Sequence, residues 1–577
     1  MPDIDSLKNK YFIEPADVPA SAVPPAIHDG CRVTPLVDPI AYYTALKGEL
    51  SQLGTAASNE ANADHFIFIV GWWPDLLGYR SPSQPFSLDG PGGERLVDIL
   101  KEKAARGVDV RVLVDVGWTI MRMDELWKKH PKIRKILGLT DDKAQNIVPF
   151  VDRYEDNMET AEDLRAGGVK CCFNIICHAA GGTHMKFVVL GRPDATGSFR
   201  AVGFTGGVDF RFDRYDRAGH PIPRPYGDLQ SVGWHDVVAK VEGPVLQAFY
   251  QDFQLMWNEV LTRPVKTYRA PYHDATTGTQ TYRKSVTVEP NTVSVVTKSL
   301  STEAIGAHSL QSLRTAPAAN YKGFWGRLAR HWGARPLSFA PDGLFNVELA
   351  WQKAIGAAQR YIYVEDWAFW SQDVMVWIND RVKLQPDLKV VLMQGRKDPN
   401  DTEYPPFMIF ALWKLLLGLT TEQKDRLRMF RRSDVQVHAK TTLIDDEWAI
   451  IGSSVCCRRS LAADFEHSVV MLDKNDELVR NYRNDLWSDH FKQAAPADLD
   501  TALAIWFGSS SIQLPTNVVR FPLEPTPKLT VKDTDGNDIE IPQEQIPDFM
   551  ATYARLAGEF WDVDSRQPWG DFSIKNP

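Results

Sequence analysis

The chain has 577 residues, of which 44% are hydrophobic, 11% aromatic and 24% charged, a composition that excludes fibrous and wholly disordered chains and allows about two to four domains. The 65 basic and 74 acidic side chains give a net charge of −9, so no global positive field favours nucleic acid as a partner. Four of the six cysteines form the adjacent pairs Cys171-Cys172 and Cys456-Cys457. This spacing suits neither a disulfide framework nor a zinc site, and we interpret these cysteines as reduced apolar residues.

Two segments bear on localisation. The first twenty residues carry acids where a signal peptide has a basic start, and they lack an apolar stretch. The longest apolar run, 407–419, has 13 residues, short of the roughly 20 needed to span a bilayer. Because it is apolar on all sides, it predicts a buried helix rather than a membrane-surface helix. We expect a protein that is soluble or peripheral to a membrane, without a signal peptide, and cytoplasmic when made.

The same order of elements occurs twice along the chain, which predicts a duplicated fold. The first half has the pattern of strand, helix and strand at 66–73, 96–106 and 108–115. The second half repeats the pattern at 361–367, 374–384 and 388–393. Two strand pairs, 184–190 with 201–207 and 438–444 with 448–452, complete the two halves. Strands that alternate with helices predict an α/β fold with mixed, mostly parallel sheets flanked by helices, the halves packed with pseudo-twofold symmetry.

The predicted domain boundaries follow changes in composition. We assign 1–270 and 341–500 to the two halves, 271–340 to a linker with the first strand of the second half at 293–297, and 501–577 to a small C-terminal appendage. In the appendage, 534–537 predicts a hairpin and 545–560 an amphipathic helix. Asp533, Asp535, Asn537 and Glu544 have calcium-loop spacing, but the loop lacks its glycine, so a plain hairpin is favoured.

The strongest chemical signal is His438-Ala-Lys440, followed by Asp445, in HAKTTLID. Alternation along a strand points His438 and Lys440 to one face. An imidazole beside a fixed ammonium suits phosphate chemistry, because the cation holds an anionic oxygen while the ring attacks phosphorus or moves a proton. One such motif could equally be a structural histidine and a surface lysine. His184-Met-Lys186 repeats it in the first half, which predicts one site with two histidines and two lysines at a pseudo-twofold interface.

These motifs, with flanking segments such as FTGGVDFRFDRYD, WHDVVAKVEGP and YIYVEDWAFW, resemble the phospholipase D superfamily over about residues 60 to 495. The chain departs from the family in two places. Gly191 occupies the position of the family's aspartate in the first motif, and Val455 stands where the family often has asparagine. The position equivalent to Val455 in the first half is Asp209, as in many lipid-cleaving members.

The resemblance implies a role for each site residue. Asp236 and Glu466 occupy matching positions in the repeat, and the acid of each half should orient the histidine of the other: Asp236 would hold His438 and Glu466 would hold His184. The implied catalytic residues are His184, Lys186, His438, Lys440, Asp236 and Glu466, and the implied substrate-binding residues are Asp209, Asp445, Ser453 and Ser454. His184 is expected to attack phosphorus and His438 to act as acid and then base. No metal or other cofactor is required for this chemistry, and stimulation by Ca²⁺ is left open.

The implied function is that of a phospholipase D, which hydrolyses the distal phosphodiester of glycerophospholipids to phosphatidic acid and a free headgroup through a phosphohistidine. The alternatives are a phosphatidyltransferase of the cardiolipin synthase kind, a nuclease of the same superfamily and a non-catalytic lipid-binding protein. The expected partner is a phospholipid membrane surface. A further resemblance to bacterial lipase effectors implies secretion by the type VI route, with a cognate immunity or delivery protein.

Other charged and imidazole side chains near the motifs carry weaker signals. The arginines downstream of the two motifs are interpreted as a solvated charge cluster, with headgroup binding as the alternative: Arg211, Arg214, Arg217, Arg224, Arg458 and Arg459. His178, His220, His235 and His467 have no partner in the repeat and are interpreted as packing or surface histidines, not as ligands.

Overall fold

A computed structural model describes most of the chain. The described residues are 3–18, 23–77, 85–115, 148–176, 181–194, 197–226, 232–263, 267–274, 279–287, 293–318, 335–395, 405–473, 477–523, 529–532 and 538–545. His178, the turn at 534–537 and nearly all of the helix predicted at 545–560 lie outside these ranges.

Strands and helices alternate through both halves. The strands are β1 Ile27–Val37, β2 Phe66–Gly71, β3 Asp109–Asp115, β4 Lys170–Asn174, β5 Phe187–Pro193, β6 Phe199–Gly206, β7 Gly233–His235, β8 Val237–Glu242, β9 Thr267–Asp274, β10 Thr279–Thr287, β11 His308–Ala316, β12 Leu344–Phe345, β13 Tyr361–Asp366, β14 Lys389–Gln394, β15 Leu427–Arg432, β16 Val435–Val437, β17 Lys440–Ile444, β18 Trp448–Gly452, β19 Glu466–Asp473, β20 Val518–Phe521, β21 Leu529–Lys532 and β22 Asp538–Ile541. The α-helices are α1 Ile4–Tyr11, α2 Pro39–Leu50, α3 Asn59–Asn62, α4 Leu96–Ala105, α5 Val148–Ala166, α6 Leu246–Thr262, α7 Asn346–Ala357, α8 Gln372–Leu384, α9 Pro405–Leu416, α10 Thr421–Lys424, α11 Arg458–Ala462, α12 Leu478–Phe491 and α13 Leu499–Trp506.

The two halves share one extended sheet. Its strand order is β20-β15-β14-β13-β17-β18-β19-β11-β1-β8-β6-β5-β2-β3-β4, with β12 beside β11. Strands β1 and β11 join the halves, because β1 pairs with β8 on one side and with β11 on the other. One hydrophobic core contains residues of both halves, and a second lies under the second half. The α/β class and the duplication predicted from the sequence are confirmed.

The sheet is mixed, but antiparallel pairs predominate, so the expectation of mostly parallel strands is wrong. The parallel pairs in the sheet are confined to β2-β3-β4 and β13-β14-β15. These strands are buried on both faces; every residue of β2 is buried, for example, which explains their continuous apolar sequence. The later strands of each half return through short connections, as antiparallel neighbours do.

The region between the halves differs from its prediction. Residues 293–297 form no strand, because their backbone groups bond to side chains of α6: Asn258 accepts from the Val295 amide at 2.7 Å, and Tyr250 donates to the Val296 carbonyl at 2.8 Å. The strand that opens the second half is β11, which pairs with β19. The alternating apolar residues of 293–297 therefore belong to a segment that packs on α6, not to a strand of the sheet.

The ends of the chain extend the second half. Helix α1 packs on the second core through Leu7 and Tyr11, and the Tyr11 hydroxyl donates to Glu447 at 2.7 Å. At the other end, Trp506 of α13 lies against Phe430, with ring centroids 5.0 Å apart, and β20 pairs with β15. Helix α1, which was assigned to the first half, and β20, which was assigned to the appendage, therefore both pack with the second half. The hairpin expected in the appendage is present as the antiparallel pair β21-β22.

Helix α9 covers the predicted apolar run and is buried, as expected: Ala411, Leu412 and Leu415 have no exposed surface. Among the described helices, none combines the length and the apolar character needed to cross a membrane.

Candidate active site

The histidine of each motif is held at the interface by a short parallel contact between the halves. Strand β16 runs parallel to β7, and the His438 amide donates to the His235 carbonyl at 2.8 Å. In the other half, Thr183 forms a parallel bridge with Phe465, and the Met185 amide donates to the Phe465 carbonyl at 2.9 Å. His438 and His184 thus lie just before β17 and β5 rather than within these strands. In both halves, these backbone hydrogen bonds place the histidine beside an acid of the opposite half.

The acids meet the histidines across the interface, as the resemblance implies. The His438 Nδ1 lies 2.7 Å from an oxygen of Asp236, and the His184 Nδ1 lies 2.9 Å from an oxygen of Glu466. A carboxylate on Nδ1 fixes the ring and leaves Nε2 as the reacting atom. All four side chains are largely buried, with Asp236 1% and Glu466 0% exposed.

The two lysines flank the histidines from the strands that follow. The Lys186 Nζ donates to the His184 carbonyl at 2.7 Å, and the Lys440 Nζ donates to the His438 carbonyl at 2.5 Å and lies 2.9 Å from the His438 Nδ1. Lys186 is also 3.9 Å from Asp209, whose other oxygen accepts from the Trp73 amide at 3.0 Å. Two ammonium groups beside two imidazoles form a site that attracts an anion.

Burial shifts the pKa values of the charged groups in the site. Desolvation raises the pKa of Asp236 to about 7 and that of Glu466 to about 8. It lowers the pKa of Lys440 to about 8 and also lowers that of Lys186. The His438 pKa lies well below its ordinary value because of burial and then the charges of Lys440 and Arg214. Burial therefore brings the pKa values of Asp236, Glu466 and Lys440 close to neutral pH. Such values suit groups that exchange protons during a reaction.

Of the two hydroxyls predicted to bind substrate, the Ser453 hydroxyl contacts Glu466, whereas the Ser454 hydroxyl contacts Ser468. The Ser453 Oγ donates to one Glu466 oxygen at 2.5 Å, and the Ser454 Oγ lies 3.3 Å from the Ser468 Oγ. Sequence reasoning missed Ser460, which donates to the other Glu466 oxygen at 2.6 Å. Its position directly after Cys-Arg-Arg carried no signal, because α11 brings it to the site only in the folded chain.

Asp445 also differs from its prediction. It follows the end of β17 and accepts from the backbone amides of Gln359, Arg360 and Tyr361 at 2.7 to 2.9 Å. Five residues of strand separate it from Lys440, roughly 16 Å at 3.3 Å per residue. Asp445 therefore caps the start of β13, at a distance from Lys440. At the matching place in the first half, Gly191 continues the ladder opposite Phe66, so no cap is needed there.

Aromatic rings cover both histidines. Trp72 meets the His184 ring edge-on at 5.1 Å, and Trp234 meets the His438 ring at 5.0 Å. Arg214 lies over Trp234 at 3.6 Å and pairs with Asp213 at 2.9 Å. These rings were not singled out in the sequence, although Trp72 directly follows β2 and Trp234 lies two residues before Asp236. With these contacts, 12% of the His184 side chain and 10% of the His438 side chain remain exposed.

In the second half, Asp366 lies near Lys440, and Val455 makes an apolar contact. Asp366 ends β13, and its side chain accepts from the Ala368 and Cys456 amides at 3.0 and 2.8 Å. Burial raises the pKa of Asp366 to about 7, opposed by the charge of Lys440. Val455 packs with Ala368 and Cys457, so an apolar contact replaces the family's asparagine.

Most of the arginines near the motifs are occupied in structural ion pairs. Arg211 lies 3.0 Å from Asp213, Arg459 lies 2.9 Å from Asp464, and Arg224 donates to the carbonyls of His220 and Asp434 at 2.8 and 2.7 Å. These contacts organise the loops around the site. Their geometry gives no separate support to the headgroup-binding alternative.

Parts of this chain are similar in sequence to known proteins. The family described as "Cardiolipin synthase, PLD-like domain" matches residues 352–490. Phospholipase D alpha 1 of Cynara cardunculus is 25% identical over 34% of this chain and 26% of its own length. Phospholipase D beta 1 of Arabidopsis thaliana is 21% identical over 74% of this chain and 47% of its own length. The chain thus spans about half or less of these two relatives.

Solved structures align with parts of this chain at low identity. Phosphatidylserine synthase of Haemophilus influenzae Rd KW20 is 12% identical, with a TM-score of 0.43 over 81% of this chain and 88% of that chain. Nuc of Salmonella typhimurium, a phospholipase D family member, is 15% identical, with a TM-score of 0.23 over 32% of this chain and 96% of its own.

The fold and the site define a protein of two homologous α/β halves that share one doubled histidine–lysine centre. In sequence, it is similar to the family described as "Cardiolipin synthase, PLD-like domain" over residues 352–490 and, at low identity over longer stretches, to plant phospholipases D.

Proposed function

We propose that the chain is a phospholipase D that cleaves the distal phosphodiester of glycerophospholipids at a membrane surface. The observation that carries this proposal is the crossed pairing of His438 with Asp236 and of His184 with Glu466, with one lysine beside each histidine. Two oriented imidazoles with adjacent cations supply a nucleophile, a proton donor and charge neutralisation for a phosphodiester.

The proposed reaction has two displacements at phosphorus. In the first, the His184 Nε2 forms a bond to phosphorus, the bond from phosphorus to the headgroup oxygen breaks, and His438 gives that oxygen a proton. In the second, His438 takes a proton from water, whose oxygen replaces His184 on phosphorus and releases phosphatidic acid. Lys186 and Lys440 neutralise charge on the non-bridging oxygens throughout.

One observation favours the opposite assignment of the histidines. The lowered pKa of His438 leaves its ring neutral in the free site, and a neutral ring is what a nucleophile requires. To act as the acid instead, His438 must gain a proton when the anionic substrate binds. A phosphodiester with a nitrophenol leaving group separates the two roles, because such a leaving group departs without an acid. If His184 is the nucleophile, His438→Ala releases a burst of about one nitrophenol per chain and His184→Ala releases none. The reverse pattern would exchange the roles.

The lipid substrate is tested by headgroup release from mixed phosphatidylethanolamine, phosphatidylglycerol and phosphatidylcholine vesicles. We expect release by the wild type and by His28→Gln, which changes a half-buried histidine on β1, and loss of release in His184→Ala and His438→Ala. If the folded wild type releases no headgroup but cleaves the nitrophenyl diester, the lipid assignment fails while the chemistry stands. If it cleaves neither, the catalytic proposal fails.

Phosphatidyl transfer is the second candidate, supported by the match of residues 352–490 to the cardiolipin synthase, PLD-like domain family. The two reactions differ only in whether water or an alcohol attacks the phosphohistidine. A parallel assay with phosphatidylglycerol as the sole lipid decides between them: glycerol and phosphatidic acid indicate a hydrolase, and glycerol with cardiolipin indicates a transferase.

A further inference from the structure

A buried group of imidazoles and carboxylates lies behind the His438 side of the site and takes no part in the proposed reaction. It consists of Asp38, His220 and His235 from the first half and Asp489 of α12 from the second, and we call it the seam cluster. Both imidazoles have no exposed surface, and the Asp38 and Asp489 side chains are 6% and 12% exposed. These residues come from three separate regions of the chain, so their grouping could not be predicted from local patterns.

The outer nitrogen of His220 is held by a carboxylate. The His220 Nδ1 lies 3.0 Å from an oxygen of Asp216, and Asp216 in turn accepts from the Trp234 and Arg217 amides, each at 2.8 Å. Because these amides keep Asp216 an acceptor, the proton belongs on Nδ1 and the lone pair on Nε2. The His220 Nε2 makes no hydrogen bond and lies 3.7 Å from Asp38 and 3.5 Å from Asp489.

His235 has the mirror arrangement. Its Nε2 lies 2.9 Å from a Glu365 oxygen, and its Nδ1 lies 2.9 Å from Asp38 and 3.4 Å from Asp489. Each imidazole thus has a carboxylate on its outer nitrogen and directs its inner nitrogen at the same two carboxylates. A carboxylate on the outer nitrogen is the usual support of a metal-binding histidine.

The spacing of the inner atoms matches a coordination sphere. The four contacts between the two nitrogens and the two carboxylate oxygens measure 2.9, 3.4, 3.5 and 3.7 Å. Ligands about 2.0 to 2.1 Å from a tetrahedral ion lie about 3.4 Å from one another. Within the described residues, Asp38, His220 and His235 have one ligand atom each within 4.8 Å of one another. Two imidazole nitrogens and two carboxylate oxygens at these distances can serve as the ligands of one cation.

We propose that the seam cluster binds one divalent cation of the zinc class through His220 Nε2, His235 Nδ1, Asp38 and Asp489. Two neutral imidazoles and two carboxylates balance the charge of the ion and offer the nitrogen and oxygen ligands that zinc accepts. This site replaces the sequence-based interpretation of His220 and His235 as packing histidines, and it is independent of the proposed reaction.

The ion has a structural role. Its ligands come from both halves, and two of them contact the catalytic pair through the backbone: the Asp38 amide donates to the Asp236 carbonyl at 2.9 Å, and the His235 carbonyl accepts from His438. Arg432 donates to Asp489 at 2.7 Å and shares this ligand with the ion. The cation therefore ties the halves together where Asp236 meets His438.

The neighbouring histidine serves as a second-sphere contact rather than a ligand. The His490 Nε2 lies 3.3 Å from Glu365, and its Nδ1 lies 3.2 Å from the Arg432 guanidinium. A cation beside that nitrogen excludes a second metal ion there.

The test is the metal content of the full chain, purified without chelator or affinity metal. We expect about one zinc per chain in the wild type and in His467→Asn, which changes a fully buried histidine elsewhere at the interface, and almost none in His220→Asn. After removal of the metal, Co²⁺ should give the visible absorption of a tetrahedral nitrogen–oxygen site in the wild type and in His467→Asn.

The wild type alone decides the question if His220→Asn does not fold. A folded wild type that contains no metal, gives no cobalt absorption and unfolds at the same temperature with chelator or with added zinc would overturn the proposal. The cluster would then be held together by protons on its imidazoles. Zinc retained equally by His220→Asn and by the control would also overturn it, because the ion would lie elsewhere. These readouts do not depend on activity, so they distinguish failure of this site from failure of the catalytic proposal.

Discussion

Restoring the aspartate of the first motif at position 191 should destabilise the protein. Gly191 is buried in β5, opposite Phe66 on β2 and Ala201 on β6. A Cβ added there would lie 2.8 Å from the Arg200 carbonyl oxygen and 2.8 Å from two carbons of the Phe66 ring. Contacts this short force neighbouring groups to move.

The magnitude follows from two costs. Overpacking by the Cβ costs about 1 to 3 kcal/mol, and a carboxyl group placed among buried strands without a partner adds about 1 to 3 kcal/mol. We therefore expect Gly191→Asp to lower the free energy of unfolding by roughly 2 to 6 kcal/mol, and Gly191→Ala by the first part only. At about 2 to 4 °C per kcal/mol for a unit of this size, thermal unfolding of the aspartate variant should occur at least roughly 4 °C lower.

The assay is thermal and urea unfolding followed by tryptophan fluorescence, with Gly48→Asp as the matched control. Gly48 is exposed on α2, and a Cβ there meets nothing within 4 Å, so this substitution should change the stability by less than about 0.5 kcal/mol. An aspartate at position 191 that leaves the unfolding temperature unchanged or raises it would refute the reasoning. It would mean that the first half can accommodate the strand cap that Asp445 provides in the second.

Three further predictions concern the cap, the charge and the support of the site. Asp445→Ala removes the acceptor of three backbone amides and should lower the free energy of unfolding in urea by roughly 2 to 4 kcal/mol. Asp445→Asn keeps an acceptor and tolerates the φ of 59°, so it should lower that free energy by less than half as much. Equal losses of stability in the two variants would contradict the capping role. The pKa of Lys440 is lowered to about 8 by burial, so its cation is present below that pH and is lost above it, and headgroup release should decline as the pH rises through about 8. Lys440→Arg keeps its charge and should abolish that decline even if the rate is lower; an unchanged pH–rate profile would assign the decline to another group. Ser460→Ala removes a hydrogen bond to the Glu466 oxygen that faces His184, and it should lower kcat about 10- to 100-fold with little change in KM. Ser454→Ala should leave kcat unchanged. A change in KM alone for Ser460→Ala would mean that Ser460 contacts the substrate instead.

The chemistry of the site could be predicted because it depends on short spacings that occur twice. His184 with Lys186 and His438 with Lys440 are each two residues apart, and Asp236 and Glu466 stand at matching places in the repeat. The buried parallel strands could be predicted for a similar reason, since a strand covered on both faces needs an unbroken apolar sequence, as β2 has. Local periodicity records these features directly.

Other features depend on which distant segments pack together, and local periodicity does not record that. The backbone of residues 293–297 bonds to side chains of α6, so an apolar alternation produced no strand. Gly191 and Asp445 occupy equivalent positions, yet one continues a ladder and the other caps a strand, because β5 runs past its position and β17 ends before it. His220 and His235 appeared unrelated until the interface placed them around Asp38 and Asp489. The two histidine–lysine pairs follow from local spacings in the chain. The groups that support them could be found only in the folded protein, because supports are long-range contacts that form when the two halves pack on each other.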